Sequence, residues 1–481
     1  MTDLTRRTGH RLLTEFRKSI AGGFQMKHAI VTLIAGLVAL PAAIHAADNK
    51  PNIIFILFDD LGYGEPQSFR NDSPFKMMHL DRLAREGMRF TDAHSASSVC
   101  TPTRYGVLTG RYPWRIGRFG VLTTFARPII ERERLTVGSL LKQHGYHTAC
   151  IGKWHLGMAW DNTGGRKDRD RPPIGATAGE GPTARGFDYF CGYTHAGNIG
   201  MIMEQDKVVA NLAPVQVPPF LAQKTDTYID QRAKAGTPFF LYVPLSQPHT
   251  PYVPAPEFQG KSGQNRYGDW MLQGDANVGQ ILAALERNQI ASNTLVIVSS
   301  DNGAEHRVYP PLRGSKRDIW EGGHREPFFA RWPGKIKPGS VCEDTICLND
   351  LLATCADIVG AKLPDNAAED SFSILPNLLG TATSPVREAT VHQSLNGDLA
   401  VRQGPWKLVF LANGTKELYN LQHDLGETKD LAAMQPEVLA RLTALMQRYI
   451  DTGRSTPGAP QENSVAVSLT GKQKKDKTEP E

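Results

Sequence analysis

Four segments of this 481-residue chain end an apolar run in polar, mostly ionisable side chains. Asn52–Phe58 (NIIFILF) runs into Asp59-Asp60, and His147–Gly152 into Lys153-Trp154-His155. Phe239–Ser246 runs into Gln247-Pro248-His249, and Thr294–Ser300 into Asp301-Asn302-Gly303. Any one of these reads as a surface turn, and Asp-Asn-Gly is good turn chemistry in its own right. Four together ask for another explanation. Asp59, Asp60, Asp301 and Asn302 are hard oxygen donors, the ligand type for Ca²⁺ or Mg²⁺. Arg104, Lys153, His155, His249 and Lys316 are cations and hydrogen-bond donors. A divalent ion faced by several cations makes a site for a multiply charged oxyanion, preorganised for a sulfate or phosphate ester.

A fifth stretch, SVCTPTRYGVLTGRYPWR (Ser98–Arg115), sets Cys, Pro and Arg in C-x-P-x-R spacing. Pro102 suits the first turn of a helix, where its missing N–H costs nothing. Cys100 is then expected just before the helix N-terminus, where unpaired N–H groups favour anions. Arg104 lies one turn on. Residue type alone leaves Cys100 open as a structural thiol, a redox thiol or the start of something else.

The elements that must position these groups alternate along the chain. Continuous apolar runs are strands covered on both faces. His79–Gly87, Leu135–Gly145 and Trp270–Gln289 have helical spacing. The alternation predicts an α/β fold, a large mostly parallel central sheet flanked by helices. In such sheets ligands bind beyond the carboxyl ends of the strands. Near residue 385 the pattern changes to short strands (ATVHQ, LAVRQGPWKLVFL, KELYNL) and one amphipathic helix, Pro436–Ile450. The expected division is a polar extension plus signal peptide over 1–47, a catalytic domain over 48–385, a small α+β subdomain over 386–451 and a disordered tail over 452–481.

Hydrophobic content of 40% supports a large core. The formal charge of +5 is uneven: residues 1–46 hold six Lys/Arg against two acids, leaving the body at +1. A near-neutral body offers no electrostatic footprint for nucleic acid. Met26–Ala46 reads as a basic n-region, a short apolar run and a small-residue cleavage site near Ala46 or Ala47, which predicts a periplasmic or extracellular protein. The apolar stretch is too short for a comfortable span, so no membrane segment is expected after cleavage. Translation starting at Met26 is the preferred reading; a twin-arginine signal at Arg6-Arg7 lies far from the apolar run. Six cysteines without C-x-x-C argue against a disulfide scaffold or zinc ribbon. A Cys342–Cys347 bridge stays open.

With PNIIFILFDDLGYG, SVCTPTRYGVLTGRYPWR, GYHTACIGKWHLG, PHTPY, SSDNGAEH and LRGSKRDIWEGGHREPFFARWPG in order, the chain resembles the type I, formylglycine-dependent sulfatases of the alkaline-phosphatase superfamily. The likeness is to arylsulfatases and N-acetylgalactosamine-6-sulfatases; WKLV and KELYNLQHDLGE match the family's C-terminal domain. The chain departs from the family at Glu65, often Asp, and at Met77-Met78-His79, often Thr-Pro-Asn. The resemblance implies that a maturation enzyme oxidises Cys100 to Cα-formylglycine before folding completes. It implies that Asp59, Asp60, Asp301 and Asn302 hold a divalent cation, Ca²⁺ in preference to Mg²⁺, which also contacts residue 100. Arg104 would support the anionic formylglycine hydrate, Lys153 and Lys316 bind sulfate oxygens, His155 remove a hydroxyl proton to release sulfate, and His249 protonate the leaving oxygen. Asp301 would also accept the proton of the attacking hydroxyl. Arg313 and Arg317 compete with Lys316 for the pocket, and His155 has an alternative as a packed residue behind it. Thr194 and His195 are candidates on the substrate side. His306 and His324 are read as structural residues near the rim, and Trp114, Tyr105 and Trp320 as core. The expected substrate is a sulfated small molecule or glycan, galactose or N-acetylgalactosamine 6-sulfate first, with aryl sulfates as test substrates. A phosphoester or phosphonate monoester hydrolase and an inactive ligand-binding homologue are the alternatives.

Overall fold

The computed structural model describes residues 50–161 and 171–469. The signal-like segment Met26–Ala46 and the end of the tail lie outside the described residues. The strands are β1 (Asn52–Asp59), β2 (Met88–His94), β3 (His147–Lys153), β4 (Ala159–Trp160), β5 (Ala178–Gly179), β6 (Tyr189–Tyr193), β7 (Met201–Glu204), β8 (Lys207–Asn211), β9 (Phe239–Pro248), β10 (Thr294–Ser300), β11 (Arg325–Arg331), β12 (Ser340–Cys342), β13 (Ile346–Cys347), β14 (Thr390–Gln393), β15 (Leu399–Gln403), β16 (Trp406–Phe410) and β17 (Lys416–Asn420). The principal helices are α1 (Met78–Glu86), α2 (Cys100–Thr109), α3 (Val137–Gln143), α4 (Val217–Ala235), α5 (Arg266–Arg287), α6 (Leu351–Ile358) and α7 (Pro436–Asp451).

The large sheet runs β12-β2-β11-β10-β1-β9-β3-β6-β7-β8, with β13 also pairing β2. Its centre, β10-β1-β9-β3-β6, is wholly parallel. Along β1 the side chains alternate between two apolar layers. Ile53, Phe55 and Leu57 pack with α2, α3 and α6, and Ile54, Ile56 and Phe58 with α1, α4 and α5. Burial on both faces is why these strands read as unbroken apolar runs. Because β1, β3, β9 and β10 are parallel, the residues after each of them meet at one edge. That is how four separate loops become one site.

The helices observed differ from the expected spans mainly at their ends. The longest, α5, starts four residues before Trp270, at an Asn265 cap whose side chain accepts from Gly268 N. Helix α1 has no capping side chain at Met77; Asp275 of α5 instead accepts from His79 N and Leu80 N. Helix α2 begins at Cys100 itself, with Val99 in extended conformation as the N-cap. Cys100 therefore occupies the first helical position, not the residue before the helix, and Pro102 sits two residues further in.

The small sheet, β14-β15-β16-β17, is antiparallel throughout and packs α7 on one face. Thr452–Leu469, expected to be disordered, is ordered instead. Arg115 Nη1 donates to Asn463 Oδ1 and Ser464 N to the Arg115 carbonyl, while Val467 and Leu469 pack against the same core as α7. Polar composition misled here because buried Arg111 and Arg115 fasten the segment together with its few apolar side chains. Cys342 and Cys347 are both free. They lie opposite Phe90 and His94 of β2, four residues apart, or about 13 Å along the strand, too far for a disulfide.

Between the sheets lies a buried polar cluster. His94 Nδ1 faces His324 Nδ1 at 3.1 Å, and the His324 and His392 rings stack at 4.0 Å. Lys407 Nζ and Arg402 Nη1 lie 3.0 and 2.9 Å from ring nitrogens of His324 and His94, so these two nitrogens are already engaged. Asp92, Glu321, Glu427 and Arg325 complete its charges. Burial drives the pKa of all three histidines below the ordinary 6.5. The unfolded chain therefore takes up protons first as pH falls, and stability is lost below pH 6.5 at up to about 1.4 kcal/mol per unit for each histidine. Buried acids with raised pKa, such as Asp275 and Glu326, act in the opposite sense and those with lowered pKa, such as Asp92 and Glu321, in the same sense, so the comparison is with His392→Gln. The variant is expected to show a shallower fall of Tm between pH 7 and 5 than the parent (end points about one unit either side of the ordinary His value); equal slopes would remove His392 from the effect.

Candidate active site

The carboxyl edge gathers the acids first. Asp59 ends β1, and Asp301 N donates to the Phe58 carbonyl at 3.0 Å, drawing the β10 loop against β1. Asp60 N donates to Asp301 Oδ1 at 3.2 Å. Asp60 itself has φ 73°, a left-handed conformation that a non-glycine residue adopts only when its surroundings hold it there. Asn302 Nδ2 donates to Asp60 Oδ1 at 2.7 Å, leaving Asn302 Oδ1 and Asp59 Oδ1 buried with no hydrogen-bond partner. Ligand atoms of Asp59, Asp301 and Cys100 lie within 4.8 Å of one another, as do those of Asp59, Asp60 and His249. The orphaned oxygens of Asp59 and Asn302, beside the carboxylates of Asp60 and Asp301, fit a hard divalent cation.

Three fixed cations face the three acids. Lys153 Nζ lies 2.7 Å from Asp59 Oδ2, Arg104 Nη2 2.7 Å from Asp301 Oδ2, and Lys316 Nζ 2.7 Å from Asp60 Oδ2. Asp59, Arg104, Lys153, Asp301 and Asn302 are wholly buried. Burial opposes ionisation of Asp59, yet the charges of Lys153, His249, Arg104 and Lys316 outweigh it and hold its pKa below the carboxylate range. Asp301 is pushed up to about 7 by burial and by Asp59 and Asp60, against Arg104 and Lys153. With acids and fixed cations balanced, a divalent ion leaves the pocket net positive, as an anionic ester requires.

Cys100 is 2% exposed, and burial pushes its thiol pKa up despite Lys153 and Lys316. Redox thiols need a depressed pKa and access, and Cys100 has neither. Arg104, one turn along α2, also donates from Nη1 to the Lys153 carbonyl at 3.2 Å, tying the helix to β3.

His155 follows β3 and is fixed by bonds to its neighbours. Thr101 Oγ1 donates to the His155 carbonyl at 3.0 Å, and His155 N to the Thr194 carbonyl at 2.8 Å. These bonds hold His155 at φ 57°. Its Nε2 donates to the Leu122 carbonyl at 2.9 Å, so Nδ1 carries the lone pair, and Nδ1 is buried without a partner. Burial, then Lys153 and Arg104, hold its pKa well below normal, keeping the ring a neutral acceptor. His195 stacks on it at 5.8 Å. The His195 ring is fixed by Gly197 N at Nδ1 (3.1 Å) and Thr124 Oγ1 at Nε2 (2.9 Å). Thr194 Oγ1 is buried and unpartnered beside it. His249 stands nearer solvent: Nδ1 donates to the Thr250 carbonyl at 2.5 Å, and Nε2 lies 3.8 Å from Asp60 Oδ2.

The competing basic residues are engaged elsewhere. Arg317 pairs with Glu305 at 2.6 Å, and Arg313 lies over Trp320 with bonds to Tyr419 and Glu427. His306 is exposed, His324 sits in the inter-sheet cluster, and Tyr105 and Trp114 are core. Trp320 packs on Tyr419 outside the pocket. Thr101, Leu122 and Glu305 escape sequence reasoning; Thr101, inside the C-x-P-x-R stretch, and Glu305, inside SSDNGAEH, carry a signal and Leu122 carries none. Glu65, one of the departures, is buried and accepts from Gly62 N (2.8 Å), Tyr309 OH (2.5 Å) and Tyr267 OH, bracing the loop after Asp60.

A parallel sheet with this donor set, helix-borne cysteine and cation ring at its carboxyl edge defines a hydrolase of the alkaline-phosphatase-like superfamily. The sulfatase family model matches residues 51–361, and the chain belongs to that family. It is 31% identical to N-acetylgalactosamine-6-O-sulfatase of Bacteroides thetaiotaomicron, over 83% of this chain and 93% of that protein. It is 34% identical to human arylsulfatase A, over 85% and 89%. A solved structure described under the metabolism of multiple glycosaminoglycans by Bacteroides thetaiotaomicron superposes with TM-score 0.76 at 28% identity, covering 83% of this chain and 99% of that one. The enzyme is a sulfuric ester hydrolase.

Proposed function

We propose that this sulfatase removes sulfate from carbohydrates, with galactose or N-acetylgalactosamine 6-sulfate as leading substrates, and that it does so as an exported enzyme with calcium and a formylglycine at position 100. The single observation that carries the mechanism is the carboxyl edge itself. Carboxylate oxygens of Asp59 and Asp301 adjoin the Cys100 sulfur, Asp59 and Asn302 each keep an orphaned oxygen, and Arg104, Lys153 and Lys316 pair with the acids. The carbohydrate reading is supported by the N-acetylgalactosamine-6-O-sulfatase that this chain resembles along nearly its whole length. Export is supported by the basic and apolar pattern of Met26–Ala46, and among the described residues no helix is long and apolar enough to cross a membrane.

Asp59, Asp60, Asp301 and Asn302 would hold the calcium ion, which when bound offsets carboxylate repulsion and charge on the sulfuryl oxygens. Formylglycine at position 100 would supply a hydrated aldehyde, with one hydroxyl to attack sulfur and a second through which sulfate leaves. Arg104, anchored on Asp301, supports negative charge one helical turn away at position 100. Lys153 and Lys316 bind the sulfate oxygens from two sides. His155 Nδ1 takes the proton of the second hydroxyl. His249, held through Nδ1 by Thr250, presents Nε2 to hand a proton to the leaving oxygen.

A desulfation screen across sulfated mono- and oligosaccharides, with phosphate esters as controls, tests the substrate class; turnover of phosphate esters alone would overturn it. His249→Ala is expected to cost about 10²-fold in kcat on a sugar sulfate and less than about tenfold on p-nitrophenyl sulfate, whose leaving group needs little protonation. Equal losses on both would remove His249 from the general-acid role.

A further inference from the structure

Lys316 reaches the active site from a loop, not from a strand end, so something outside the large sheet must hold it. Its own backbone contributes one bond, Lys316 N to the Ala304 carbonyl at 3.1 Å. The next residue, Arg317, sits at φ 81°, donates from N to the Ser98 carbonyl and accepts from Leu395 N. Beyond it the loop is gripped from the small C-terminal sheet. Lys407 Nζ of β16 lies 3.0 Å from the Ile319 carbonyl oxygen, 3.1 Å from Glu321 Oε1 and 2.7 Å from Glu427 Oε1. Glu427 Oε2 accepts from Glu321 N at 2.7 Å. On the near side, Arg313 donates to Tyr419 OH of β17 and to the Glu427 carbonyl, and its own carbonyl accepts from Gly322 N at 2.8 Å, closing the loop.

Lys407, Glu321 and Glu427 are each wholly buried. Burying these charges carries a desolvation cost that apolar residues of the same volume would avoid. What the ions provide instead is direction: one ammonium with three donors bonds the Ile319 carbonyl, Glu321 Oε1 and His324 Nε2, and pairs with Glu427 by charge. The only backbone carbonyl it holds belongs to Ile319, three residues past Lys316.

We infer that Lys407, seconded by Tyr419, is a positioning residue for catalysis: the C-terminal sheet sets where the Lys316 ammonium stands at the sulfate site. This rests on the reading of Lys316 as a sulfate-binding cation. Lys407 touches no reacting atom and acts through the loop between Arg313 and Glu321. It also gives the C-terminal sheet a part in turnover that its distance in sequence from every site residue conceals.

The test is a double-mutant cycle on the mature, formylglycine-bearing enzyme, reading kcat/KM on an aryl sulfate together with Tm. Lys407→Met is expected to lower kcat/KM about tenfold alone and less than about twofold when Lys316 is already Ala, because residues acting as one unit are non-additive. A purely structural role would cost the same factor in both backgrounds, and that result overturns the inference. If Lys407→Met does not fold, Tyr419→Phe leaves the buried charges in place and carries the same cycle. It is expected to cost about threefold alone and nothing measurable beside Lys316→Ala, and equal losses in the two backgrounds again overturn the inference. Full activity in Lys316→Ala alone overturns the underlying reading of Lys316, and this one with it, whereas a large loss there with additive Lys407 and Tyr419 effects overturns only this one.

Discussion

Asp301→Ala, or removal of calcium by a chelator, is expected to lower kcat by at least about 10³-fold while leaving the fold in place, the scale at which electrostatic stabilisation of a transition state is lost. Asp59, Asp60 and Asp301 converge within hydrogen-bond reach of one another's loops, and burial with mutual repulsion already raises Asp301 to about 7. Carboxylates crowded in this way need compensating charge to stay ionised together. Arg104, Lys153 and Lys316 each satisfy one carboxylate oxygen, yet Asp59 Oδ1 and Asn302 Oδ1 remain unsatisfied, so the fixed cations do not complete the shell. Removing Asp301 takes away a ligand and also frees Arg104, whose Nε and Nη2 both bond Asp301 Oδ2. Calcium binding by calorimetry should fall with activity, and calcium added back to chelated parent enzyme should restore both. Full turnover in metal-free protein would sink the assignment of all four ligands.

Much of this site was legible because its geometry obeys one rule: parallel strands deliver their trailing residues to a common edge. β1, β3, β9 and β10 announce themselves as apolar runs, and the residues trailing each of them are the candidate site residues. The parts that were not legible have specific causes. Helix α4 opens Val-Pro-Pro and buries few apolar side chains, chiefly Val217, Pro218, Tyr228 and Ile229, so its amphipathic signal is weak. The start of α2 is displaced from its expected position because Val99 caps it with no side-chain acceptor, and Pro102 is the only punctuation in the sequence there. Ordering of Thr452–Leu469 depends on Arg111 and Arg115 more than 300 residues away, a dependence no local composition encodes. The grip of Lys407 on the Lys316 loop is hidden for the same reason, since its partners Ile319 and Glu321 lie more than 80 residues away in sequence. Nothing in the sequence signals that His155 Nδ1 is left buried without a partner, because that follows from the bond of Nε2 to the distant Leu122 carbonyl.

The last expected result concerns Cys100. Protein made in a host without the maturation enzyme should fold, bind calcium and be nearly inactive, by at least about 10³-fold relative to the mature enzyme, the order of loss when a nucleophile is removed. As a thiol the residue has no route to reactivity: it is buried in the first turn of α2 and its pKa is raised, so the thiolate that attacks is not populated. Cys100→Ser should behave like the unmodified form. Its single hydroxyl could accept a sulfuryl group once, but a seryl sulfate has no second hydroxyl on the same carbon through which to expel sulfate. Burst kinetics should then show at most one slow turnover per site. Burial also sets the order of events. With Cys100 2% exposed and Ser98 N bonded to the Gln393 carbonyl, the C-x-P-x-R segment is closed once the small sheet has docked. On the proposed formylglycine reading, conversion is expected to precede folding: co-expressing the enzyme should raise activity in proportion to the aldehyde fraction on the Cys100 peptide, whereas adding it to folded protein should change neither mass nor rate. Mass spectrometry of that peptide beside turnover on p-nitrophenyl sulfate reads both. Normal turnover from protein in which Cys100 is wholly a free thiol would refute the mechanism, and efficient conversion of the folded protein would refute the order.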